Sequence, residues 1–594
     1  MKTKQYEQQI KKLEQELKQL QKKFSIISLV KLFHALFIIY FIYLLFSNTE
    51  NFTPIIICGL ITIILVAFWI YHDKLKQKID DIKGLINIYL SHLDRISGAW
   101  VKFPDVGSEF INHDHPYSSD LDIVGKKSIF QFLNTTQTWH GRIAFVNDLL
   151  KPNYTDEQIL KRQEAILELS EDIEFAAKMN HQFSKVGVHG GAKSVISILE
   201  NEKSFFNSKI LELILTFGPL LTIFAVGALI ITRNSNLFVI AVVLVALQVM
   251  VLISTFIKSS KYLDDISGLN YHLEAYADVI KMLNEKAFAS SVLNDIQNTL
   301  NNEKTGALTA INQLAKIMNR VSIRRNSIAF IVLNILFLYD VKTSIDFSYW
   351  RKTYSTFSRE WFTQLGIFES LLAFSNVPNV VDNTVLPTIT TKKQIIAKNI
   401  GHPLINHTKR VCNDITNDDE IFIISGSNMS GKTTFMRTIG INIILARAGG
   451  FVCASKFSTA QFDIMTSMRI ADDLSEGIST FYAELKRIKM IINSAKQQSL
   501  FLFLIDEIFR GTNSIDRLEG AKTVLEKLNE LHVNGMITTH DLELCGLSNN
   551  DERIKNYSFC ENYAKDEILF DYKVKPGVSY TTNAKYLMNL MDII

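Results

Sequence analysis

The chain has 594 residues, of which 47% are hydrophobic and 21% charged, and its formal net charge is +3. This length allows three or four domains of ordinary size, and the nearly balanced charge argues against a strongly basic nucleic-acid surface while leaving a local basic patch open. The five cysteines form no Cys-x-x-Cys pair and keep no ligand spacing with histidines, so neither a disulfide framework nor a zinc site is expected.

Four apolar segments are long enough to cross a membrane as helices: residues 24–46, 54–71, 213–231 and 237–257. About 20 helical residues cross a hydrocarbon core of about 30 Å. Buried core helices are the alternative for both pairs. The first segment is too long for a signal peptide, so no cleavable leader is expected. A fifth apolar run, residues 328–339, is too short to span and is predicted to be a core helix.

Lysines flank these segments on one side. Residues 1–23 carry seven lysines, and further lysines follow the second segment and flank the third and fourth. The connecting loops 47–53 and 232–236 contain one basic residue between them, Arg233. By the positive-inside rule both hairpin tips face away from the cytoplasm. The sequence therefore predicts an integral membrane protein with four spans, whose N-terminus, middle part and C-terminus are cytoplasmic.

The segments between the spans are predicted to be mostly helical, with long runs at residues 158–179 and 266–300. Apolar residues between Tyr6 and Ile27 follow heptad spacing, which indicates either a short coiled coil or one amphipathic helix resting on another domain. His113 and His115 precede a proline and are expected to be solvated loop residues rather than metal ligands.

From residue 395 onward, short apolar runs at 421–424, 500–505 and 536–537 alternate with helical stretches, which predicts an α/β domain with a largely parallel sheet. The first run leads into a G-x-x-x-x-G-K-[ST] loop between a strand and a helix, whose backbone N–H groups surround phosphates. Lys432 is expected to reach the β- and γ-phosphates of ATP, and the Thr433 hydroxyl to bind Mg²⁺. The predicted nucleotide-binding residues are Gly426, Ser427, Asn428, Met429, Ser430, Gly431, Lys432, Thr433 and Thr434.

Two further strand ends carry candidate catalytic groups. Asp506 and Glu507 follow the run 500–505; Asp506 is expected to hold Mg²⁺ and Glu507 to polarise the attacking water. His540 follows the run 536–537 and is placed to sense the γ-phosphate. Three such elements in this order predict Mg²⁺-dependent binding and hydrolysis of ATP, against the alternative of a fortuitous glycine turn.

Four motifs within these residues resemble those of the MutS family of mismatch-repair proteins. Residues 425–434, SGSNMSGKTT, are similar to its Walker A loop, residues 471–481 to its signature segment, residues 506–516 to its Walker B motif and D-loop, and residues 539–540 to its histidine switch. The resemblance covers residues 395–594 and extends more weakly to segments 120–147 and 162–164, which are similar to the family's lever and core helices.

The resemblance implies a multi-domain α and α/β protein, with a helical core and a C-terminal P-loop ATPase domain of ABC type. In that family the ATPase domains pair face to face, and the signature serine, here Ser479, approaches the nucleotide of the other subunit. A homodimer with two composite sites is therefore implied, with Glu507, His540 and Ser479 as its catalytic residues.

The chain also departs from the family pattern. The family's mismatch-binding and connector domains are replaced by the heptad segment and the first hairpin, and the second hairpin falls roughly where repair enzymes insert their DNA clamp. The Phe-x-Glu sequence at residues 559–561 lies in the ATPase domain, where a mismatch reader is not expected. Asn513 and Arg517 differ from the commonest D-loop of the repair enzymes.

The predicted domains are a coiled-coil-like helix (1–23), a first membrane hairpin (24–72), a first helical-core part (73–208), a second hairpin (209–258), a second helical-core part (259–394) and the ATPase domain (395–594). We carry two hypotheses for their joint function. One is an ATP-switched homodimer that binds DNA and serves repair or recombination. The other is a membrane-remodelling or transport-coupled motor that does not bind DNA; a catalytically inactive scaffold is disfavoured by the intact motif residues.

Overall fold

The computed structural model describes residues 2–47, 53–187, 209–264, 266, 270–302, 306–469, 480–509, 514–563 and 568–579. Within them a helical part extends to residue 380 and an α/β part with two sheets follows. The helices of the first part are α1 (Lys2–Ser47), α2 (Thr53–Ser97), α3 (Ile129–Leu133), α4 (Trp139–Leu150), α5 (Asp156–Glu171), α6 (Ile173–Val186), α7 (Lys209–Thr232), α8 (Ser235–Asp264), α9 (Asn270–Glu285), α10 (Ser291–Leu300), α11 (Ala307–Ser322), α12 (Ser327–Phe337), α13 (Tyr339–Ser375) and α14 (Val377–Val380).

Helices α1 and α2 form a long antiparallel pair. The heptad residues of α1, among them Tyr6 and Ile10, are buried against apolar residues of α2, and the Tyr6 ring stacks on His92 with 5.2 Å between ring centroids. An amphipathic stripe needs an apolar partner to bury it, and here that partner belongs to the same chain. The apolar residues of α2 in this contact, from Leu75 to Tyr89, are also spaced four and three apart, so the pair has the pattern of an antiparallel coiled coil formed within the chain.

Three described helices are long and apolar enough to cross a membrane: Lys2–Tyr40, Leu213–Thr232 and Ser235–Asp264. The count rises to four if the bent pair α12–α13 is taken as one span. The predicted span 54–71 lies within α2, but the side chains of residues 53–67 lie outside the described set. In the pair α7–α8, large apolar side chains are exposed, with Ile231 at 84% and Ile257 at 79%.

The prediction of a buried core helix at residues 328–339 is wrong. Helix α12 leaves Ile328 78% exposed, and Asn334 is its buried residue, donating to the carbonyl of Phe330 and accepting from the Asp340 amide. The helix packs beside α7 and α8 and ends at Leu338, where the chain turns by 79° into α13. Its length is too short to span a bilayer, but its exposed apolar surface continues that of the second hairpin.

Both long helical runs are broken within the residues that the structure describes. The run 158–179 splits at Asp172, whose side chain accepts from the Phe175 amide and caps α6, and the run 266–300 splits between α9 and α10. A short acidic side chain competes for backbone donors and so starts a new helix. His115 is buried rather than solvated: its Nδ1 accepts from two backbone amides, and its Nε2 lies 3.1 Å from the Leu150 carbonyl.

Helix α13 forms the spine of the helical part and packs on α4, α5 and α11. Aromatic side chains fill these contacts, including Phe145 against Phe374 with 5.2 Å between ring centroids. The buried Glu369 of α13 accepts from the Gln137 and Thr138 amides and from the Thr138 hydroxyl, which caps α4. These contacts join residues far apart in sequence and fix α4 against α13.

The α/β part begins at residue 388, just ahead of the predicted boundary at 395. One sheet has the order β1-β5-β2-β3, and a six-stranded sheet has the order β10-β9-β4-β8-β7-β6, with β10 antiparallel and its other neighbouring pairs parallel. The elements are β1 (Thr388–Ile389), β2 (Gln394–Ile400), β3 (Asn413–Asp418), β4 (Ile421–Ser425), α15 (Lys432–Arg447), β5 (Lys456–Thr459), β6 (Asp463–Ser467), α16 (Thr480–Gln497), β7 (Phe501–Asp506), α17 (Ser514–Glu530), β8 (Asn534–Thr539), α18 (Leu542–Cys545), β9 (Ile554–Tyr563) and β10 (Ile568–Pro576).

Candidate active site

The glycine-rich loop at residues 426–431 joins the buried strand β4 to helix α15. Gly426 and Gly431 adopt φ of 146° and 106°, which disfavour any side chain. A Cβ at Gly426 would lie 2.7 Å from the Phe559 carbonyl oxygen. The loop therefore needs glycine at both positions, and it leads into the N-terminus of a 16-residue helix.

Lys432 is the first residue of α15 and is buried. Its Nζ donates to the carbonyl oxygens of Gly426 (2.7 Å) and Ser427 (2.9 Å). The ammonium group thus lies inside the curve of the loop, where a positive charge favours an anionic ligand.

Thr433 and Asp506 meet although 73 positions separate them in sequence. The Thr433 hydroxyl donates to Asp506 Oδ2 at 3.0 Å, and the Thr538 hydroxyl donates to Asp506 Oδ1 at 2.6 Å. The parallel neighbours β4, β8 and β7 bring the ends of all three strands to one edge of the sheet. A hydroxyl beside a carboxylate is an all-oxygen donor set, which suits Mg²⁺.

Glu507 and His540 also come together at this edge. His540 Nε2 lies 2.9 Å from Glu507 Oε1 and 2.9 Å from Asn428 Oδ1. With its proton on Nε2, His540 donates toward these acceptors; the tautomer follows from this hydrogen bonding. The imidazole thus links the carboxylate at the end of β7 to the glycine-rich loop.

Strands β9 and β10 cover the other side of the loop. The Ser427 hydroxyl donates to Glu561 Oε2 at 2.5 Å, and both residues are buried. The Asn413 side chain donates to the Tyr572 carbonyl and accepts from the Val574 amide, which holds β10 against β3. Glu561 and Thr538 are site residues that sequence analysis missed: Glu561 lies in the Phe-x-Glu sequence, to which no role in the site was given, and Thr538 lies between the apolar run 536–537 and the histidine switch.

A cavity of about 570 Å³ opens over the loop. Its walls include His402, Lys409, Phe559 and Tyr572 in addition to residues 427–435 and Glu507. Burial, assisted by the nearby Arg437, lowers the pKa of His402 to about 4, so this imidazole is neutral at pH 7. The volume lies within the range of about 300–1,000 Å³ that is usual for small-molecule sites.

The helical part contacts the site through residues 118–123. Asp120 is buried and accepts from the Thr466 hydroxyl and from the Met468 and Arg469 amides. Asp122 pairs with Arg437 of α15 at 3.0 Å and with Arg469 at 2.6 Å. This junction joins the helical part both to the helix that follows the glycine-rich loop and to the chain just before the signature segment.

The structure thus brings together the predicted residues Lys432, Thr433, Asp506, Glu507 and His540, with Asn428 beside them. Met429 lies at the loop tip with φ of 68° and is 85% exposed. Ser479 and the rest of the signature segment up to it, residues 471–479, lie outside the described residues, as does Asn513 of the D-loop. Arg517 is described, and it forms a paired contact with Asp541 at 2.9 and 3.0 Å.

These features define the class: an α/β domain with a mostly parallel sheet, whose strand β4 passes through a glycine-rich loop into a helix. Residues 422–590 match the family model for MutS domain V. In this C-terminal part, about a third of its length, the chain is similar to the MutS family.

Individual relatives agree with this assignment. The chain is 35% identical over 210 residues to the DNA mismatch repair protein MutS of Methanococcoides burtonii, covering 34% of this chain and 23% of that protein. It is 36% identical over 225 residues to MutS of Prochlorococcus marinus, covering 36% and 24%, and 34% identical over 219 residues to MutS of Staphylococcus epidermidis, covering 36% and 25%. The chain thus spans about a quarter of the length of the curated relatives that it matches.

Proposed function

We propose that the chain binds and hydrolyses Mg·ATP at the glycine-rich loop and works as a membrane-anchored homodimer whose ATPase cycle switches the helical part. The observation that carries this proposal is the contact of Thr433 Oγ1 with Asp506 Oδ2 at 3.0 Å, beside Lys432 inside the loop. A hydroxyl, a carboxylate and an ammonium group converge at the N-terminus of α15, which is the arrangement that a metal-bound triphosphate requires.

Each residue has a part in this chemistry. Thr433 and Asp506 would hold Mg²⁺, which when bound would neutralise phosphate charge. Lys432 exchanges its bonds to the loop carbonyls for bonds to phosphate oxygens. Glu507 orients and polarises the attacking water, and its contact with His540 fixes the direction of its carboxylate. Thr538 holds Asp506 and the Glu507 backbone in place.

The proposed dimer is supported by the resemblance to the MutS family, whose ATPase domains pair face to face, and by the exposed tip of the glycine-rich loop. The cavity over the loop is lined on the sides by residues of this chain, and the exposed Met429 offers apolar surface at its rim. A second copy would bring its Ser479 to the γ-phosphate and complete the donors around it.

Membrane anchoring is supported by α7 and α8, which are long enough to cross a bilayer and expose their apolar side chains. Their lysine-rich flanks support a cytoplasmic ATPase domain. The junction at Asp120 and Asp122 gives the nucleotide site a direct connection to the helical part, which continues into these hairpins.

Two outputs of the switch remain separate proposals. The relatives are DNA mismatch repair proteins, which supports DNA binding, whereas the two hairpins support a membrane-remodelling or transport-coupled motor. Binding of the detergent-solubilised chain to duplex and branched DNA at several salt concentrations separates them. Affinity that falls steeply with salt supports the DNA proposal, because phosphate contacts release counterions; absence of such binding supports the motor.

The ATP site itself is tested by Lys432→Ala and Glu507→Gln, with the exposed Lys496→Ala as the matched control. Lys432→Ala should weaken Mg·ATP binding by on the order of 10- to 100-fold, because charge-assisted hydrogen bonds to phosphate are lost. Glu507→Gln should bind ATP normally and retain it unhydrolysed. Binding is measured by equilibrium titration and hydrolysis by phosphate release; normal hydrolysis by Glu507→Gln would show that the base is misassigned.

A further inference from the structure

A second cavity, of about 600 Å³, lies between the second hairpin and helices α11, α12 and α13. One side of it is apolar and is built from α7 and α12, chiefly by Leu215, Pro219, Leu220, Leu333 and Phe337. Leu220 is 62% exposed, so this wall is continuous with the exposed apolar surface of the hairpin.

The opposite side of the cavity carries positive charge. Arg320 of α11 and Lys342 of α13 line it together with Tyr339 and Thr343, and no carboxylate belongs to the described lining. Arg320 is half-exposed and pairs with Asp346, which leaves part of its guanidinium for a further acceptor. Lys342 is exposed and forms no ion pair with any residue that the structure describes.

The cations have a fixed position relative to the hairpin. Arg324, one turn after Arg320, pairs with Asp264 at the end of α8 and with Asp340 at the start of α13. Lys258 and Lys261 lie on the same end of α8. The cationic side of the cavity therefore belongs to the lysine-rich end of the hairpin, and the apolar side runs along the candidate spans.

We propose that this cavity binds an anionic phospholipid, with an acyl chain along α7 and α12 and the phosphate at Arg320 and Lys342. This inference rests on the membrane anchoring proposed above and is independent of ATP hydrolysis. An apolar wall that ends at two cations matches an amphiphile with one negative charge. A zwitterionic lipid carries a cation of its own, which meets repulsion at the same place.

The binding site connects the bilayer to the helical part. The cavity is shared by the hairpin, by α11 and by the first turn of α13, the spine that packs on α4 and α5. A lipid in the cavity would hold the bend at Leu338 against α7. Anionic lipid content would then set how firmly the hairpin follows movements of the helical part.

The experiment uses the full chain in detergent micelles, with phosphatidylglycerol or phosphatidylcholine added and bound lipid counted by native mass spectrometry. The test variants are Lys342→Gln and Arg320→Gln. The control is Lys352→Gln, which changes an exposed lysine that shares helix α13 with Lys342 but lies outside the cavity. We expect each test variant to lower retention of phosphatidylglycerol about fivefold, in line with the contribution of one basic residue at an anionic lipid surface. The control should match the wild type.

The apolar wall is tested by Leu220→Trp, which fills the cavity, against Phe224→Trp, which alters an exposed residue of α7 outside it. Only the first should reduce lipid retention, and glycerol 3-phosphate at equal concentration should not displace the lipid. Equal retention of both lipids by the wild type, or unchanged retention in Lys342→Gln and Leu220→Trp, would overturn the proposal.

Failure of the anchoring is distinguishable from failure of the lipid site. If the chain stays in solution without detergent, both the proposed membrane anchoring and the proposed lipid site are refuted. If it needs detergent but shows no preference for the anionic lipid, only the proposed lipid site is refuted. Phosphate release measured on the same preparations reports the ATPase separately.

Discussion

Glu507 occupies the left-handed region of backbone conformation, with φ of 50°. For a residue with a Cβ this costs on the order of 1–3 kcal/mol, and such conformations persist where surrounding contacts hold them. Here the Glu507 amide donates to the Thr538 hydroxyl at 3.1 Å, and the same hydroxyl donates to Asp506. The strain is thus located at the carboxylate to which we assign the attacking water.

The strand-terminal residues of the site could be predicted from the sequence, because a polar residue directly after an apolar run lies at a sheet edge. Asp506 and Glu507 follow from this rule, His540 from its place at the end of the next such strand, and Lys432 from the glycine-rich loop pattern. The contact of Ser427 with Glu561 could not, because it depends on β9 lying next to β4, and strand order is not encoded in any local pattern.

Glu369 makes the stability of the helical part sensitive to pH. Burial raises its pKa to about 7 from an ordinary value of 4.5, although three hydrogen bonds oppose the shift. Between about pH 4.5 and pH 7 the folded chain therefore keeps a proton that the unfolded chain loses. The stability contributed by this proton is present at low pH and is lost as the pH rises through 7.

Replacement by glutamine should remove this dependence. We expect the unfolding temperature of the wild type in detergent to fall more between pH 5 and pH 8 than that of Glu369→Gln, whose side-chain oxygen can still accept from the backbone. Glu360→Gln, an exposed glutamate on the same helix, should behave as the wild type does. Identical pH profiles for all three proteins would contradict the buried, protonated carboxyl.

At the scale of elements, helices and strands could be predicted from the spacing of apolar residues along the sequence. The points where helices break, and the neighbours against which they pack, could not. The run 158–179 gave no proline or glycine to mark the break at Asp172, because the acidic side chain acts by capping a new helix. Helix α12 has the composition of a core segment, yet its neighbours are the exposed hairpin helices. Composition alone cannot tell an apolar residue facing protein from one facing lipid.

The junction at Asp120 is the contact between elements through which the proposed coupling would pass. Asp120→Ala removes the acceptor for three donors beside the signature segment while leaving the glycine-rich loop untouched. We expect Mg·ATP binding to stay within error of the wild type and hydrolysis to fall by about 2- to 30-fold, as expected when roughly 0.5–2 kcal/mol of coupling is lost.

The control for this variant is Asp114→Ala, which removes an exposed carboxylate from the same loop. Steady-state hydrolysis and nucleotide titration are measured on both proteins. Equal hydrolysis by Asp120→Ala and Asp114→Ala would show that the junction only holds the two parts together.

At the scale of the whole molecule, the proposed arrangement makes a specific prediction for topology. Cysteines introduced at Asn51 and Asn234, in the two hairpin loops, should react with an impermeant thiol reagent added to intact cells, because few positive charges hold these loops inside. A cysteine at Asn301 should react only after permeabilisation. The opposite labelling pattern would overturn the assigned orientation, and labelling of all three sites alike would contradict the spans.

In the proposed dimer two chains act together. In the proposed composite site one chain would supply the loop, Lys432, Thr433, Asp506 and Glu507, and the family resemblance assigns Ser479 to the site of the partner. Loss of one hydroxyl donor at a transition state typically costs on the order of 100-fold in rate. Ser479→Ala should therefore be nearly inactive when purified alone. Lys432→Ala should be nearly inactive as well, because it loses the charge that binds the phosphates.

The most direct test mixes these two variants and measures ATP hydrolysis after subunit exchange has been demonstrated. In a mixed dimer both lesions fall in one composite site and the other site is intact, so the account predicts that part of the activity returns, up to about half of the wild-type rate per mixed dimer if the two sites work independently. No recovery despite exchange, or full activity of Ser479→Ala alone, would contradict a composite site in which Ser479 acts across the dimer.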